Sequence, residues 1–432
     1  MDRKKILIPG GQFSDWALVN AAHRLGLYVI TSGYAENDPA HKFSDKYIKA
    51  DYSDKEAMLK IAMDEHIDYM CSNANDFGLL STAYVCEKLG LPGHDSYETT
   101  KFLHSKDTFK KLAKELGVHS PVSDFFDDEE SAVAFLEKNS NRKMIIKPSD
   151  NVGSNGVVDN QESRCLNELV DFAFSKSKSH RIVIEDFIEG DFATATAMII
   201  NKKVVSFFCN IWYRYNGGKK ADKKYPVYNQ INGIAQPCPF MKDFEDDIIK
   251  DFNKIAQALD LKDGKLHCEL MITPEHKAYI FDVHRRMSGF PYPWTEWDHS
   301  TGLNWCDWIV RAECGMNLSD FPVGIRQTNL RCRRDIYAPR DGHLLKVKFD
   351  EYLTSHLIPK REEKNFVLYD YIVTDHRNQP LIDTVESFFK PGLRNGETMV
   401  NFAFDDMQEF KYFVDPENND EFYSHIMFEY EE

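Results

Sequence analysis

The 432-residue chain lacks most of the features that declare a function outright. Its nine cysteines stand singly, with no C-x-x-C pair and no zinc spacing, which speaks against a cysteine metal site or a disulfide scaffold and for reduced thiols. Basic residues are outnumbered, and a net charge of −16 argues against a general binder of nucleic acid or membrane surfaces, while leaving room for a local basic pocket. No apolar run approaches membrane-spanning length. The charged start Met1-Asp2-Arg3-Lys4-Lys5 leads into only a few apolar residues, so it reads as a first strand rather than a signal peptide. A soluble, cytoplasmic protein is expected, with neither nucleic acid nor membrane as partner. The pair Gly10-Gly11 fails the G-x-G-x-x-G spacing, which counts against a dinucleotide fingerprint. Repeats, low-complexity tracts and disordered linkers are missing too, so the domains should pack tightly.

What is present is length for two or three domains and enough apolar residues, 42%, to bury their cores. Residues 5–10 read as a buried strand ending in a glycine turn. Trp16–Leu25 reads as a helix, and Tyr28–Thr31, Tyr47–Ala50 and Tyr69–Cys71 as further strands. Such alternation implies parallel βαβ units, an α/β doubly wound domain over 1–100. The pattern then becomes α+β over 101–325. Helices are expected at Ser105–Leu116, Glu129–Glu137, Leu166–Phe174 and Asp243–Leu259, with a hairpin of Phe192–Ile200 and Lys203–Asn210. Strands Leu266–Ile272 and Ala278–Val283 follow, and the basic, glycine-containing Tyr213–Lys220 reads as a mobile loop. Past Arg326 strand-like runs with charged turns predict a small β-rich domain over 326–432.

Chemistry concentrates at Met144-Ile145-Ile146-Lys147-Pro148-Ser149-Asp150-Asn151-Val152-Gly153-Ser154-Asn155-Gly156-Val157. An apolar run delivers a lysine, proline stops the strand, and a small-residue loop follows. Glycines let such a loop approach a ligand closely and turn its N–H groups into an anion-binding nest, beside which Lys147 adds a charge. Lys106 supplies a second cation. Glu185 to Ile188 end a strand where backbone can face an adenine edge, and Asp191 can accept from ribose hydroxyls. Glu269 and Asp282 lie on adjacent expected strands, with His284, Arg285 and Arg286 beyond. Converging carboxylates suit Mg²⁺, and an arginine beside them can neutralise a transferring phosphoryl group. Taken singly, each has an ordinary reading: Glu269 on a solvated face, Arg285-Arg286 as a surface pair, Glu185-Asp186 as an acidic loop. Their order along the chain is what a nucleotide-phosphate enzyme needs.

In these residues the chain resembles the ATP-grasp superfamily, over roughly residues 5–325. Lys106 matches that family's first lysine, and Lys147-Pro148 with Gly153-Ser154-x-Gly156-Val157 its second lysine and phosphate-covering loop, in a closing lobe of about 120–190. Ile184-Glu185-Asp186-Phe187-Ile188-Glu189-Gly190-Asp191 looks like the adenine and ribose hinge. His267-Cys268-Glu269-Leu270 and Phe281-Asp282-Val283-His284-Arg285-Arg286 look like the paired metal-binding strands. The resemblance implies a central ATP-grasp fold of two α+β lobes, between the doubly wound domain and a C-terminal domain like that of the biotin-carboxylase-like branch. One departure stands out: the usual Glu-x-Asn-Pro-Arg is here Asp282-Val283-His284-Arg285-Arg286. An imidazole at 284 suits Mn²⁺ better than Mg²⁺.

The resemblance further implies a carboxylate–amine ligase that forms an acyl phosphate from ATP and releases ADP and phosphate. Lys106, Lys147, Ser154, Gly156, Glu185, Phe187, Ile188 and Asp191 would bind the nucleotide. Glu269, Asp282 and His284 would bind Mg²⁺ or Mn²⁺, and Arg286 and Lys147 would act in catalysis. Partners would be small carboxylates and amines, amino acids among them, framed by Arg286, the Tyr213–Lys220 loop and Met287–Trp297. Relatives of this kind are often homodimers, though no stretch identifies a dimer face. The alternatives are a carboxylase or carbamoyl-type enzyme acting through carboxyphosphate, lowered by the absence of a Met-Lys-Met carrier motif and of a glutaminase domain, and a catalytically idle ATP sensor.

Overall fold

The first strand, β1 (Lys5–Pro9), is apolar throughout, and Ile6, Leu7 and Ile8 are fully buried. A strand buried on both faces belongs inside a parallel sheet. With β2 (Tyr28–Gly33), β3 (Lys46–Lys49) and β4 (Tyr69–Met70) it forms a parallel sheet in the order β3-β2-β1-β4. Helices α1 (Phe13–Arg24) and α2 (Lys55–Glu65) connect β1 to β2 and β3 to β4, a 3₁₀ turn at Pro39–Phe43 connects β2 to β3, and α3 (Asp76–Leu89) follows β4. Asp54 and Asn75 cap α2 and α3 with side-chain oxygens, satisfying N–H groups that a helix start leaves open. In this computed structural model the described residues are 3–151, 155–213, 215–216, 219–220, 233–286, 300–336, 342–357, 361–363, 366–368, 387–389 and 398–431.

Helix α4 (Tyr97–His104) leads directly into α5 (Lys106–Leu116). A small antiparallel sheet follows, built from β5 (Ser123–Phe126), β6 (Met144–Pro148), β7 (Val158–Asp159) and β8 (Ile182–Asp186) in the order β5-β8-β6-β7. Helices α6 (Glu129–Lys138) and α7 (Leu166–Ser175) cover one face, where Met144, Ile146, Ile182 and Ile184 meet Leu136, Leu169 and Phe174. Strand alternation turns Lys147 and Glu185 to the other face.

The largest sheet has seven strands. The long hairpin β9 (Asp191–Ile200) and β10 (Lys203–Tyr213) leads, past the short pair β11 (Tyr215–Asn216) and β12 (Lys219–Lys220), to β13 (Gly233–Gln236). The Tyr213–Lys220 stretch, expected as a loop, thus includes a two-stranded turn; Arg214, Gly217 and Gly218 lie outside the described residues. Helix α8 (Glu245–Ala258) starts two residues later than periodicity suggests, because Met241–Asp243 form a 3₁₀ turn. Then come β14 (Gly264–Ile272), β15 (Ala278–His284) and α9 (Trp305–Glu313).

Strands continue as β16 (Leu330–Ile336), β17 (Gly342–Phe349), β18 (Arg361–Glu363), β19 (Phe366–Leu368), β20 (Ser387–Phe389), β21 (Thr398–Phe404) and β22 (Ile426–Tyr430). The sheet runs β15-β14-β9-β10-β13-β16-β21, so two strands past residue 325 complete it. One face packs Ala195, Phe207, Cys209, Ala235, Leu270 and Cys332 against α8 and a helix at Met407–Val414. The other packs Met198 and Phe208 on Trp305 of α9 and on α1 at one end, and is polar toward the middle. Among the described residues no helix is long and apolar enough to cross a membrane.

Candidate active site

Three cations meet where the small sheet, α5 and the polar face of the large sheet converge. Lys106 begins α5; its backbone N–H donates to Ser149 O at 2.8 Å and its Nζ to Asn151 O at 2.9 Å, tying the helix to the loop after β6. Lys147 Nζ lies 2.7 Å from Glu185 Oε1, across neighbouring strands β6 and β8. Lys110, one turn after Lys106, takes the other oxygen of Glu185 at 2.9 Å and donates to Ser120 Oγ at 3.0 Å. All three lysines are buried. Burial pulls Lys110 down to about 8 against the opposing pull of Glu185. Burial works against the Glu185 charge as well, but Lys110 and Lys147 outweigh it and hold the carboxyl below its ordinary range.

The loop flanks are braced. Asp150 accepts from the N–H groups of Lys178 and Ser179, at 3.0 and 2.7 Å, and Asn151 Nδ2 donates to Lys176 O at 3.0 Å. Gly156 has φ +92°, and a Cβ there would lie 2.7 Å from Pro148 and Lys176 side-chain atoms, so only glycine fits. Gly153 and Ser154, expected over the phosphates, lie outside the described residues.

Opposite the lysines, Glu269 and Asp282 face each other in register across β14 and β15, beside a β-bulge. Lys106 Nζ is 3.5 Å from Asp282 Oδ2. Burial opposes the Asp282 charge, yet Lys106 and Lys147 outweigh it and keep the carboxyl low; burial and the neighbouring Asp282 push Glu269 up. Two carboxylates crowded in this way, offering hard oxygens only, fit a divalent cation such as Mg²⁺ whose remaining ligands are phosphate oxygens and water. Among the described residues no three His, Cys, Asp or Glu side chains gather as a complete metal cage. His284 Nδ1 lies 3.1 Å from Asp76 Oδ1, at the start of α3, and the ring acts electrostatically on both Glu269 and Asp282. It sits opposite His267 in the ladder, and His267 Nδ1 is held by Thr196 Oγ1 at 2.7 Å.

Asp76 also receives Arg286 Nε at 2.7 Å. Burial opposes the Asp76 charge, but Arg286 and His284 outweigh it and hold the carboxyl well below its ordinary range. The adjacent Arg285 turns the opposite way. Its Nε donates to Asp95 at 2.7 Å and its Nη atoms to Lys265 and Lys262 carbonyls at 2.5 and 2.8 Å. Lys265 pairs with Glu313 and donates to Ser72 Oγ at 3.1 Å, so this knot joins the parallel sheet to the large one. Of the two arginines, only Arg286 stands at the carboxylate pair, whose charges act on it.

Above the carboxylates an apolar bed is formed by Phe192, Trp212, Ile234, Met271 and Phe281, with Ile188 packed on it. Lys147 Nζ lies 5.5 Å from the Phe281 ring centre. The hinge differs in detail from expectation. Glu185 serves through its carboxylate, between strands that occupy its backbone, and the Phe187 N–H is taken by Lys143 O at 3.1 Å. Ile188 meets the apolar bed, and Asp191 opens β9, exposed.

Lys106, Lys147, Glu185, Glu269, Asp282 and Arg286 are therefore brought together, and His284 adjoins them through Asp76. Sequence reasoning missed Lys110 and the apolar bed. Lys110 carried a signal, since a residue four beyond Lys106 shares its helix face. The bed carried none, being assembled from five strands.

Two sheets converging on buried lysines, over a carboxylate pair, form the arrangement that the ATP-grasp resemblance implies. Residues 104–288 match the family model of the phosphoribosylglycinamide synthetase ATP-grasp (A) domain. That stretch, under half of the chain, is similar to the ATP-grasp domain family. A formate-dependent phosphoribosylglycinamide formyltransferase of Histophilus somni is 22% identical over 240 residues, 54% of this chain and 59% of that one. The chain thus spans about three-fifths of that relative's length. Among solved structures, an L-amino acid ligase from Bacillus licheniformis superposes with a TM-score of 0.70 at 19% identity, over 100% of both chains. A phosphoribosylglycinamide synthetase from Anaerococcus prevotii does so with a TM-score of 0.67 at 17% identity, again over 100% of both.

Proposed function

We propose that the protein is an ATP-dependent carboxylate–amine ligase that forms an amide through an acyl phosphate, releasing ADP and phosphate. The observation that carries this reading is the approach of Lys106 Nζ to within 3.5 Å of Asp282 Oδ2, which sets a phosphate-binding lysine against a carboxylate pair. Phosphoryl transfer needs positioning and charge neutralisation more than covalent help.

In this mechanism Lys106 and Lys147 hold the nucleotide phosphates. Glu185 holds Lys147 in place, with Lys110 bracing Glu185 from behind. The apolar bed of Phe192, Trp212, Ile234, Met271 and Phe281 receives the adenine. Glu269 and Asp282 would hold Mg²⁺, which supplies charge neutralisation to the phosphates when bound. Arg286 stabilises the transferring phosphoryl group and then the tetrahedral adduct formed when the amine attacks. Exclusion of water from the site would protect the acyl phosphate from hydrolysis. A small carboxylate donor and an amine acceptor accord with relatives whose names specify formate or L-amino acids.

The test is ATP turnover by the purified protein with Mg²⁺ or Mn²⁺, against paired carboxylates and amines and, separately, bicarbonate. ADP and phosphate released only with a carboxylate–amine pair are expected. Release of AMP would overturn the mechanism, turnover driven by bicarbonate would favour the carboxyphosphate route, and tight binding without turnover would favour a sensor.

A further inference from the structure

At the end of the large sheet remote from the carboxylate pair, three turns enclose a cleft of about 370 Å³. They are the turn at 201–202 between β9 and β10, the turn at 260–263 between α8 and β14, and residues 315–318 after α9, with Gly93 of the first domain at one side. Gly264 begins β14 and Glu269 lies five residues further along it, so the cleft stands roughly 17 Å from the metal-binding pair. It is a separate site. Its volume falls at the low end of small-molecule sites.

The floor is apolar and the rim carries both signs of charge. Leu261, Met316 and Leu318 line the floor, and the unbranched thioether of Met316 adapts to an alkyl group laid on it. At the rim Lys202 pairs with Asp260. Asp263 Oδ1 accepts from the Asn201 N–H at 2.8 Å, while its Oδ2 accepts nothing among the described residues. Lys262 closes no ion pair among the described residues, although its charge acts on Asp260. One ammonium and one carboxylate oxygen therefore stand open over an apolar surface. The turn that carries them is held from behind. Its Lys262 N–H donates to Asp95 Oδ1 at 2.7 Å, and its Lys262 carbonyl accepts from Arg285 Nη2 at 2.8 Å. A void of about 10 Å³, the size of one water, adjoins the cleft there and shares Gly93 and Asp263 with it. The rim is thus positioned before anything binds.

We infer that this cleft binds a free α-amino acid with an aliphatic side chain: Lys262 takes its carboxylate, Asp263 its ammonium, and Leu261, Met316 and Leu318 its alkyl group. The charges of Lys202, Asp260, Lys262 and Asp263 cancel, so a simple anion or cation finds no net field there, whereas a zwitterion meets a partner at each end. Ion pairs at an exposed rim are individually weak, so both ends and the floor are needed together. The cleft lies apart from the lysines and carboxylates assigned to the nucleotide, and the inference stands or falls independently of the ligase reading.

The experiment titrates L-leucine calorimetrically into the full chain, and beside it two analogues that each lack one charge, 4-methylpentanoate without the ammonium and 3-methylbutylamine without the carboxylate. L-leucine is expected to bind, and each analogue to bind at least about tenfold more weakly. Met316→Trp, which fills the cleft, and Lys262→Gln, a change at an exposed side chain that leaves the fold alone, should each weaken L-leucine by at least about tenfold. Lys262→Gln decides the matter by itself should the larger tryptophan disturb folding. The inference is overturned if L-leucine does not bind the wild type, if Lys262→Gln binds it as the wild type does, or if either analogue binds as tightly as L-leucine.

Discussion

Asp76, at the start of a helix in the first domain, stands 2.7 Å from Arg286 Nε at the end of β15. The same carboxylate oxygen lies 3.1 Å from His284 Nδ1. The doubly wound domain therefore holds the arginine proposed to stabilise the transferring phosphoryl group. Its helix N-terminus adds a favourable dipole for the carboxylate.

Asp76→Asn should separate positioning from binding. With the buried partner charge removed, Arg286 loses its anchor, and kcat should fall about 10²-fold with a smaller change in KM for ATP. Leaving a buried guanidinium without its partner should also cost about 3–5 kcal/mol in stability. Steady-state kinetics and urea unfolding check both, and an unchanged kcat would remove Asp76 and Arg286 from the chemistry.

Lys110→Met should weaken ATP by roughly tenfold, because Glu185 then swings toward Lys147 alone and competes with the phosphates for its charge. Lys110→Arg should recover most of that loss. Equilibrium titration of a fluorescent ATP analogue reads the difference. Equal affinities in all three proteins would mean that Glu185 needs only one lysine.

Metal dependence should follow the carboxylates. Glu269→Gln should raise the Mg²⁺ concentration for half-maximal turnover by at least about tenfold. His284→Asn should leave the Mg²⁺ to Mn²⁺ preference unchanged, because Glu269 and Asp282 already supply the hard oxygen ligands. A preference shifted toward Mg²⁺ in that variant would place the imidazole on the metal after all.

Acid should weaken the fold through His94. Its Nε2 donates to Met70 O at 2.9 Å, and burial pulls its pKa from 6.5 down to about 4. The unfolded chain therefore takes up the proton near 6.5 and the folded chain only near 4. The stability this neutral ring contributes is complete above pH 6.5 and is lost as pH falls toward 4, by about 3 kcal/mol in all. His94→Gln keeps an N–H for Met70 and does not titrate, so its unfolding free energy should fall less between pH 7 and 4. Parallel slopes for the two proteins would contradict the assignment.

Much of the site was legible because its residues lie on elements with a strict period. Glu269 and Asp282 could be paired from two adjacent strands, and Lys106 and Lys147 from a helix start and a strand end. The resemblance to the ATP-grasp superfamily followed from their order. The parts that were not legible depend on partners remote in the chain. Nothing near His284 announces that its ring meets Asp76, and nothing near Glu185 says that its carboxylate, rather than its backbone, is the working part. The apolar bed arises only when strands from five separate segments take their register, which local periodicity does not specify. Arg285 and Arg286, adjacent and alike, point to opposite tasks for the same reason.

The placing of β16 and β21 on the far edge of the large sheet bears on how the chain reaches its fold. Until Leu330–Ile336 arrives, β13 is an open edge with bare N–H and C=O groups, a template for pairing between molecules. β16 in turn waits for Thr398–Phe404, so the central sheet cannot close until residue 404 has left the ribosome. Such late, long-range closure makes for slow maturation and exposes the nascent protein to aggregation in the interval. A version cut at residue 325 would keep the lysines and the metal-binding carboxylates and still be expected to accumulate as insoluble material.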